Sequence, residues 1–150
     1  MNFKTFTRKI LLFITIVIIN FSCKGQKDSS KYNGIYQTGK SGKEFYLRSD
    51  STQVFKVVKK DFIALNLFES SEVIFENSTP VLSITLNDNG KHQLDNLTAM
   101  NIKKHLPIIF NNELYTAPFV QERIKEGRLI ISGFKTIEEA NTILELINNN

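Results

Sequence analysis

After residue 21 no apolar run in this 150-residue chain is longer than five residues. That limits what the chain can become, because a membrane-spanning helix needs about 20 consecutive apolar residues. Short apolar runs separated by Asn, Gly, Ser and Asp clusters suit the strands and amphipathic helices of one small domain. The length supports one such domain plus an attached segment, not two full cores. A single Cys excludes an internal disulfide framework and any multi-cysteine metal centre.

The pattern reads as follows. Residues 45–47 and 54–58 are aromatic and β-branched, as strands prefer. Residues 62–68 fit either a strand or a buried helical turn. Residues 72–76 and 81–86 form a hairpin around Asn77-Ser78-Thr79-Pro80, with Leu82, Ile84 and Leu86 on one face of the second arm. Asn87-Asp88-Asn89-Gly90 caps a helix that turns Leu94 and Leu97 toward the sheet. Residues 106–110 and 113–117 flank Asn111-Asn112, a two-residue turn that tolerates positive φ, and Pro118 ends that strand. Residues 129–132 make the last strand. Thr136 and Glu139 form a capping box before a helix with Ile137, Ala140, Ile143, Leu144 and Ile147 along one face. The expected fold class is α+β, a largely antiparallel sheet with two main helices packed on one side.

The N-terminal segment is an address. Lys4, Arg8 and Lys9 precede the ten-residue apolar run 10–19, too short to span a bilayer and suited to a secretory signal. The run ends in Ser22-Cys23, which resembles a bacterial lipoprotein signal, with Asn20 where that family usually has Leu. The resemblance implies cleavage between Ser22 and Cys23 and acylation of the Cys23 thiol, which would seat the protein on a membrane. Lys24, in place of an Asp after the Cys, favours the periplasmic face of the outer membrane. The expected organisation is a signal over 1–22, a lipidated Cys and flexible tether over 23–43, and the domain over 44–150. Tyr32, Ile35 and Tyr36 make a short strand or pack on the body, and Gly39, Ser41 and Gly42 loosen the chain again. Removing the signal leaves 16 basic and 15 acidic side chains. The overall charge of +4 therefore supports no nucleic-acid partner.

A second resemblance rests on ordered motifs: residues 83–90, Leu97-Thr98 and Asn101, residues 106–118, Ile124, Gly127, residues 131–134, and residues 136–140 with Leu144. Together they resemble the head subdomain of the first periplasmic domain of SecD/SecDF protein-export proteins, closely over 80–148 and loosely over 44–79. The resemblance implies the head fold and a habit of binding non-native or extended polypeptide. Nothing in the chain corresponds to that family's transmembrane helices or proton-carrying residues.

Chemistry-bearing patterns are sparse. His92 and His105 lack partners at metal-ligand spacing and read as solvated or capping residues. Ser-Ser pairs at 29–30 and 70–71 have no nearby base, Glu138 and Glu139 suit a helix first turn, and the glycines form no phosphate cradle. No catalysis, metal, cofactor or small-molecule substrate is expected. Tyr115, Pro118, Phe119 and Val120 form the candidate protein-binding stretch, a groove or sheet edge for strand addition. The leading expectation is a lipid-anchored, non-enzymatic envelope module that binds polypeptide or an export or assembly complex. The alternative is a structural lipoprotein subunit held by one dedicated partner.

Overall fold

Residues 31–150 are described by the computed structural model. In chain order they form β1 (Gly34–Leu47), β2 (Asp50–Ala64), a single 3-10 turn at Leu65–Leu67, β3 (Phe68–Glu76) and β4 (Thr79–Leu86). Then come α1 (Asp88–Met100), β5 (Ile108–Phe110), β6 (Glu113–Thr116), β7 (Arg128–Ile131) and α2 (Ile137–Asn148). The 3-10 turn settles the ambiguous stretch 62–68, which divides between the end of β2, the turn and the start of β3.

Two turns direct the hairpins. Asn77 and Ser78 have φ of 48° and 64°, and Asn111 and Asn112 have φ of 50° and 65°. Two successive left-handed residues give the tight turn whose twist matches antiparallel strands. The first is two residues shorter than the four expected, since Thr79 and Pro80 already pair with Glu76 and Phe75.

The α+β class holds, and the strands divide into two sheets. One has the order β2-β1-β5-β6, the other β3-β4-β7. The four-stranded sheet is apolar on both faces. Ile35, Ile63, Ile108, Phe110 and Tyr115 join the main core with Leu82, Ile84, Leu94, Leu97, Ile131, Ala140, Ile143 and Ile147. Tyr36, Phe45, Val57, Ile109 and Leu114 form a second core on the opposite face, edged by Tyr32, Phe55 and Phe62. The Tyr36 and Phe62 rings stack there at 4.9 Å. Burial pushes the Tyr36 hydroxyl up to about 12, against the lowering effect of its hydrogen bond to the Asn33 backbone.

Both helices cover the main core. At the start of α1 the Asn87 side chain accepts from Gly90 N at 2.9 Å. At the start of α2 Thr136 Oγ1 accepts from Glu139 N at 3.2 Å, and the Glu139 carboxylate accepts from Lys135 N at 2.7 Å. Each cap satisfies backbone donors that the first helical turn leaves open. Glu139 also binds Arg48, whose guanidinium lies 4.4 Å over the Tyr115 ring and 3.2 Å from Glu113. Burial alone would raise the Glu139 carboxyl. The Lys135 N–H and the Arg48 charge outweigh it and hold the group below the ordinary carboxylate range.

The flexible tether expected through residue 43 is corrected over residues 34–43, which form the first part of β1. Gly34 and Ile35 pair with both β2 and β5, and Ile35 and Tyr36 are buried in the two cores. The loosening at Gly39 and Gly42 is a bulge, because Thr38 and Lys43 both oppose Val57. The expected signal over 1–22, Cys23 and the residues as far as 30 lie outside the described residues.

Candidate functional site

The connection between β6 and β7, residues 117–127, has almost no regular structure, yet α1 and the segment after it hold it at several points. Thr98 is a helix-interior threonine with no exposed surface. Its hydroxyl donates to Leu94 O at 2.7 Å and accepts from Ile124 N at 3.0 Å. One turn earlier, Asp95 receives both Nε and an Nη of Arg123, at 2.8 and 2.7 Å. That two-point hydrogen bond holds the Asp95 carboxyl below the usual carboxylate range. Past the helix end, Lys103 N donates to Val120 O, Val120 N to Lys104 O, and Leu106 N to Pro118 O, at 2.8 to 3.0 Å. Asn101 caps the helix, with its Nδ2 donating to Leu97 O at 2.8 Å. Thus Asp95, Thr98 and the backbone of Lys103, Lys104 and Leu106 fix the connection, and Asn101 ends the helix before them.

This fastening separates the four candidate residues. Val120 is turned into the main core, 6% exposed. Tyr115 is equally buried and packs at 5.5 Å from Phe110 and 5.3 Å from Phe134, beneath Arg48. Both belong to the main core, and of the two only Val120 also lines the groove behind Phe119. Pro118 and Phe119 alone are exposed, Phe119 by 51%. Phe119 stands 5.3 Å from the His105 ring, which stands 5.4 Å from Phe55. His105 Nδ1 donates to Ala117 O at 2.7 Å, which orients the ring between the two phenyl groups. His105 is exposed, as expected, but it also extends the aromatic surface beside Phe119. His92 is exposed on α1. Among the described residues no group of His, Cys, Asp and Glu could hold a metal ion.

Behind Phe119 lies a groove of about 320 Å³, floored by Ile35, Leu106, Ile108, Ile124 and Leu129. Leu129 belongs to β7, an edge strand of the three-stranded sheet, whose neighbour is β4 alone. Apolar pockets beside an unpaired strand edge are what an extended peptide uses, with backbone hydrogen bonds on the edge and side chains in the pockets. A larger concavity, about 640 Å³, lies between β2 and α1. Its rim carries Asp61, Gln93 and Asn96 over Phe62, Leu97 and Met100. Helix α1 satisfies its backbone internally and Asp61 kinks β2 at a φ of 54°. That concavity therefore lacks a straight strand edge, and the Phe119 groove is the better candidate for a peptide.

No helix among the described residues is long and apolar enough to cross a membrane. Comparison with known proteins gives one consistent result. The chain is 36% identical over 74 residues to protein translocase subunit SecD of Rhodothermus marinus, covering 49% of this chain and 12% of the relative. It is 35% identical over 95 residues to SecD of Rickettsia bellii, covering 62% and 18% respectively. Thus it spans less than a fifth of the length of these relatives. Among solved structures, a membrane component SecDF that enhances protein export aligns with a TM-score of 0.64 at 17% identity, over 78% of this chain and 61% of the other. SecDF in a super-membrane-facing form aligns with a TM-score of 0.56 at 24% identity, over 63% and 14%. At such identities the likeness concerns the fold. The family model for the SecDF P1 head subdomain matches residues 43–150. The chain belongs to the SecDF P1 head subdomain family.

Proposed function

We propose that this chain is a lipid-anchored, non-catalytic envelope protein, held by acyl groups on Cys23, whose head domain binds extended polypeptide during export or assembly. Family membership supports the link to export. The observation that carries peptide binding is the half-exposed Phe119 over an apolar groove lined in part by Leu129 of the edge strand β7. An added strand would pair with β7 and place alternate side chains in that groove. Two or three acyl chains, each methylene contributing about 0.8 kcal/mol, would hold the domain on a membrane. The site requires no cofactor, metal or nucleic acid.

The test is recovery of cross-linked partners from detergent extracts with the natural chain and with Phe119→Asp. Many unfolded clients, lost in the variant, are expected. Undiminished recovery from folded Phe119→Asp protein refutes the groove. A single stoichiometric partner that the variant retains would instead identify a structural subunit. The anchor is tested apart, by fractionation of Cys23→Ser: unchanged processing and membrane association would refute it.

A further inference from the structure

The hydrogen-bond register of β7 decides which of its backbone groups stay open. Antiparallel strands alternate between residue pairs that exchange hydrogen bonds and pairs that do not. Leu86 N donates to Gly127 O at 2.8 Å, one step beyond the pair formed by Thr85 and Arg128. Gly127, Leu129 and Ile131 therefore direct their backbone groups at β4. Arg128 and Ile130 direct theirs away from it, and β7 has no other neighbour in its sheet. The far end of β4 gives the same parity. The two-residue turn at Asn77-Ser78 is closed by the pair Glu76 and Thr79, which is a hydrogen-bonded pair in such a turn. Counting on from Thr79, Val81, Ser83 and Thr85 bond to β3, which leaves Leu82, Ile84 and Leu86 for β7. Among the described residues no turn or loop segment bonds to the backbone of Arg128 or Ile130.

The side chains sort in the same way. Leu129 and Ile131 lie opposite Ile84 and Leu82 and pack with them on the main core. Arg128 and Ile130 stand on the other face of the sheet, and both are exposed. Across the strands the row of Arg128 continues through Thr85 to Ser70, so its neighbours are hydroxyls. Among the described residues Arg128 makes no ion pair. The row of Ile130 continues through Ser83 to Glu72, which is two strands away, about 10 Å. The open edge of β7 thus offers two residues' worth of backbone donors and acceptors, flanked on the outer face by one cation and one aliphatic side chain.

A strand added antiparallel to this edge bonds to Arg128 and Ile130 through the two residues opposite them. The residue between these two lies opposite Leu129. Its N–H turns away from β7, and its side chain falls on the face of Leu129, where the groove behind Phe119 lies. The two flanking side chains stand on the outer face, one beside Ile130 and the other beside Arg128. Side chains directly opposite on one face favour apolar beside apolar and acid beside base. Because the strands run in opposite directions, the residue beside Ile130 comes first in the added chain. Resting on the peptide-binding reading above, we propose that the polypeptide taken up on β7 is an extended acidic segment. Its order is a β-branched or aromatic residue, an apolar residue, then Asp or Glu, and Arg128 selects the acid.

The test is fluorescence anisotropy with the full chain in mild detergent and labelled ten-residue peptides, Val-Leu-Glu at the centre of Ser and Thr residues. Gln in place of the peptide Glu should weaken binding about two- to fivefold, and Lys should weaken it more. Arg128→Glu, its fold confirmed by circular dichroism, should reverse the ranking of the Glu and Lys peptides. Methylating the backbone nitrogen of the peptide Val should abolish binding, because that N–H faces Ile130, while methylating that of the Leu should be tolerated. A Lys peptide bound as well as the Glu peptide, or a ranking that folded Arg128→Glu protein keeps, would overturn selection by Arg128. Loss on methylating the Leu but not the Val would overturn the register. The groove is judged separately, since Phe119→Asp should weaken every peptide alike. Equal binding of all peptides that Phe119→Asp abolishes would leave the groove standing and refute the acidic segment. No binding by the natural chain, or binding that Phe119→Asp leaves unchanged, would refute the groove and the acidic segment with it.

Discussion

Replacing Thr98 by Val should loosen the connection that shapes the candidate groove while leaving helix α1 in place. Valine matches threonine in shape, so no cavity opens, and Leu94 O keeps its helical partner. What disappears is the acceptor for Ile124 N, now 3.0 Å from the Thr98 hydroxyl. A buried donor left without a partner costs about 1–3 kcal/mol. Over a domain of this size that corresponds to a fall in Tm of roughly 4–12 °C. The cost has an upper limit, because residues 121–125 can lift away and hydrate the N–H once detaching them becomes cheaper than the unmet bond. Amide exchange separates these outcomes. Urea unfolding should show a lower midpoint at unchanged m, and hydrogen exchange at Ile124 should accelerate before that of the core strands. Thr98→Ser keeps the hydroxyl and loses one methyl, worth about 0.8 kcal/mol. It should therefore destabilise the domain slightly and leave Ile124 protected. If Thr98→Val shows wild-type stability and unaltered exchange at Ile124, the connection is held by something other than this hydroxyl, and the reasoning fails.

Two further predictions come from the backbone and from the second core. Gly133 has a φ of 103°, and a Cβ built there would lie 2.5 Å from Tyr115 O. Gly133→Ala should therefore cost well over 1 kcal/mol, read as a lower urea midpoint, and a neutral substitution would refute the close packing of that turn on β6. Tyr36 has its hydroxyl raised to about 12 by burial, so the folded state resists ionisation that the unfolded chain undergoes near 10. The stability this contributes is complete below about pH 10 and is lost as pH rises toward 12. Tyrosinate absorbance should titrate late for Tyr36 and also for Tyr115, whose hydroxyl burial raises as well, and Tyr36→Phe should flatten the alkaline arm of the stability profile.

Much of the fold was legible in local chemistry. The turns at Asn77-Ser78 and Asn111-Asn112, the caps at Asn87 and Thr136, and the face formed by Ala140, Ile143 and Ile147 are all specified within a few residues. The functional surface was less so. Asp95 and Arg123 are 28 positions apart and belong to no motif, so their ion pair emerges only when the connection folds back over α1. Thr98 carries a faint signal, because a threonine within an apolar helix face often marks a side chain bonded to another segment. Residues 39–42 mislead for a definable reason. Gly and Ser in an extended chain describe a bulge as well as a linker, and only pairing on both sides of Val57 distinguishes them.

The separation of Tyr115 from Phe119 has a deeper cause. Strand reading assigns alternate residues to inside and outside, which holds when one face of a sheet meets water. Here the four-stranded sheet is buried on both faces where β1, β5 and β6 meet. Ile35, Ile108 and Tyr115 enter the main core, while their neighbours Tyr36, Ile109 and Leu114 enter the second. A continuous apolar run then means two opposite burials, and no single residue in it announces a surface. Exposure returns only where regular pairing ends. Pro118 has no N–H to continue the ladder, the chain leaves β6, and Phe119 emerges beside His105 while Val120 turns back inward. The candidate groove therefore sits where the doubly buried sheet gives way to the fastened connection, and its large exposed ring stands beside His105 and is followed by the buried Val120. For the same reason Phe119→Asp is a sharp test: it changes the exposed ring and leaves the buried Tyr115 and Val120 in place.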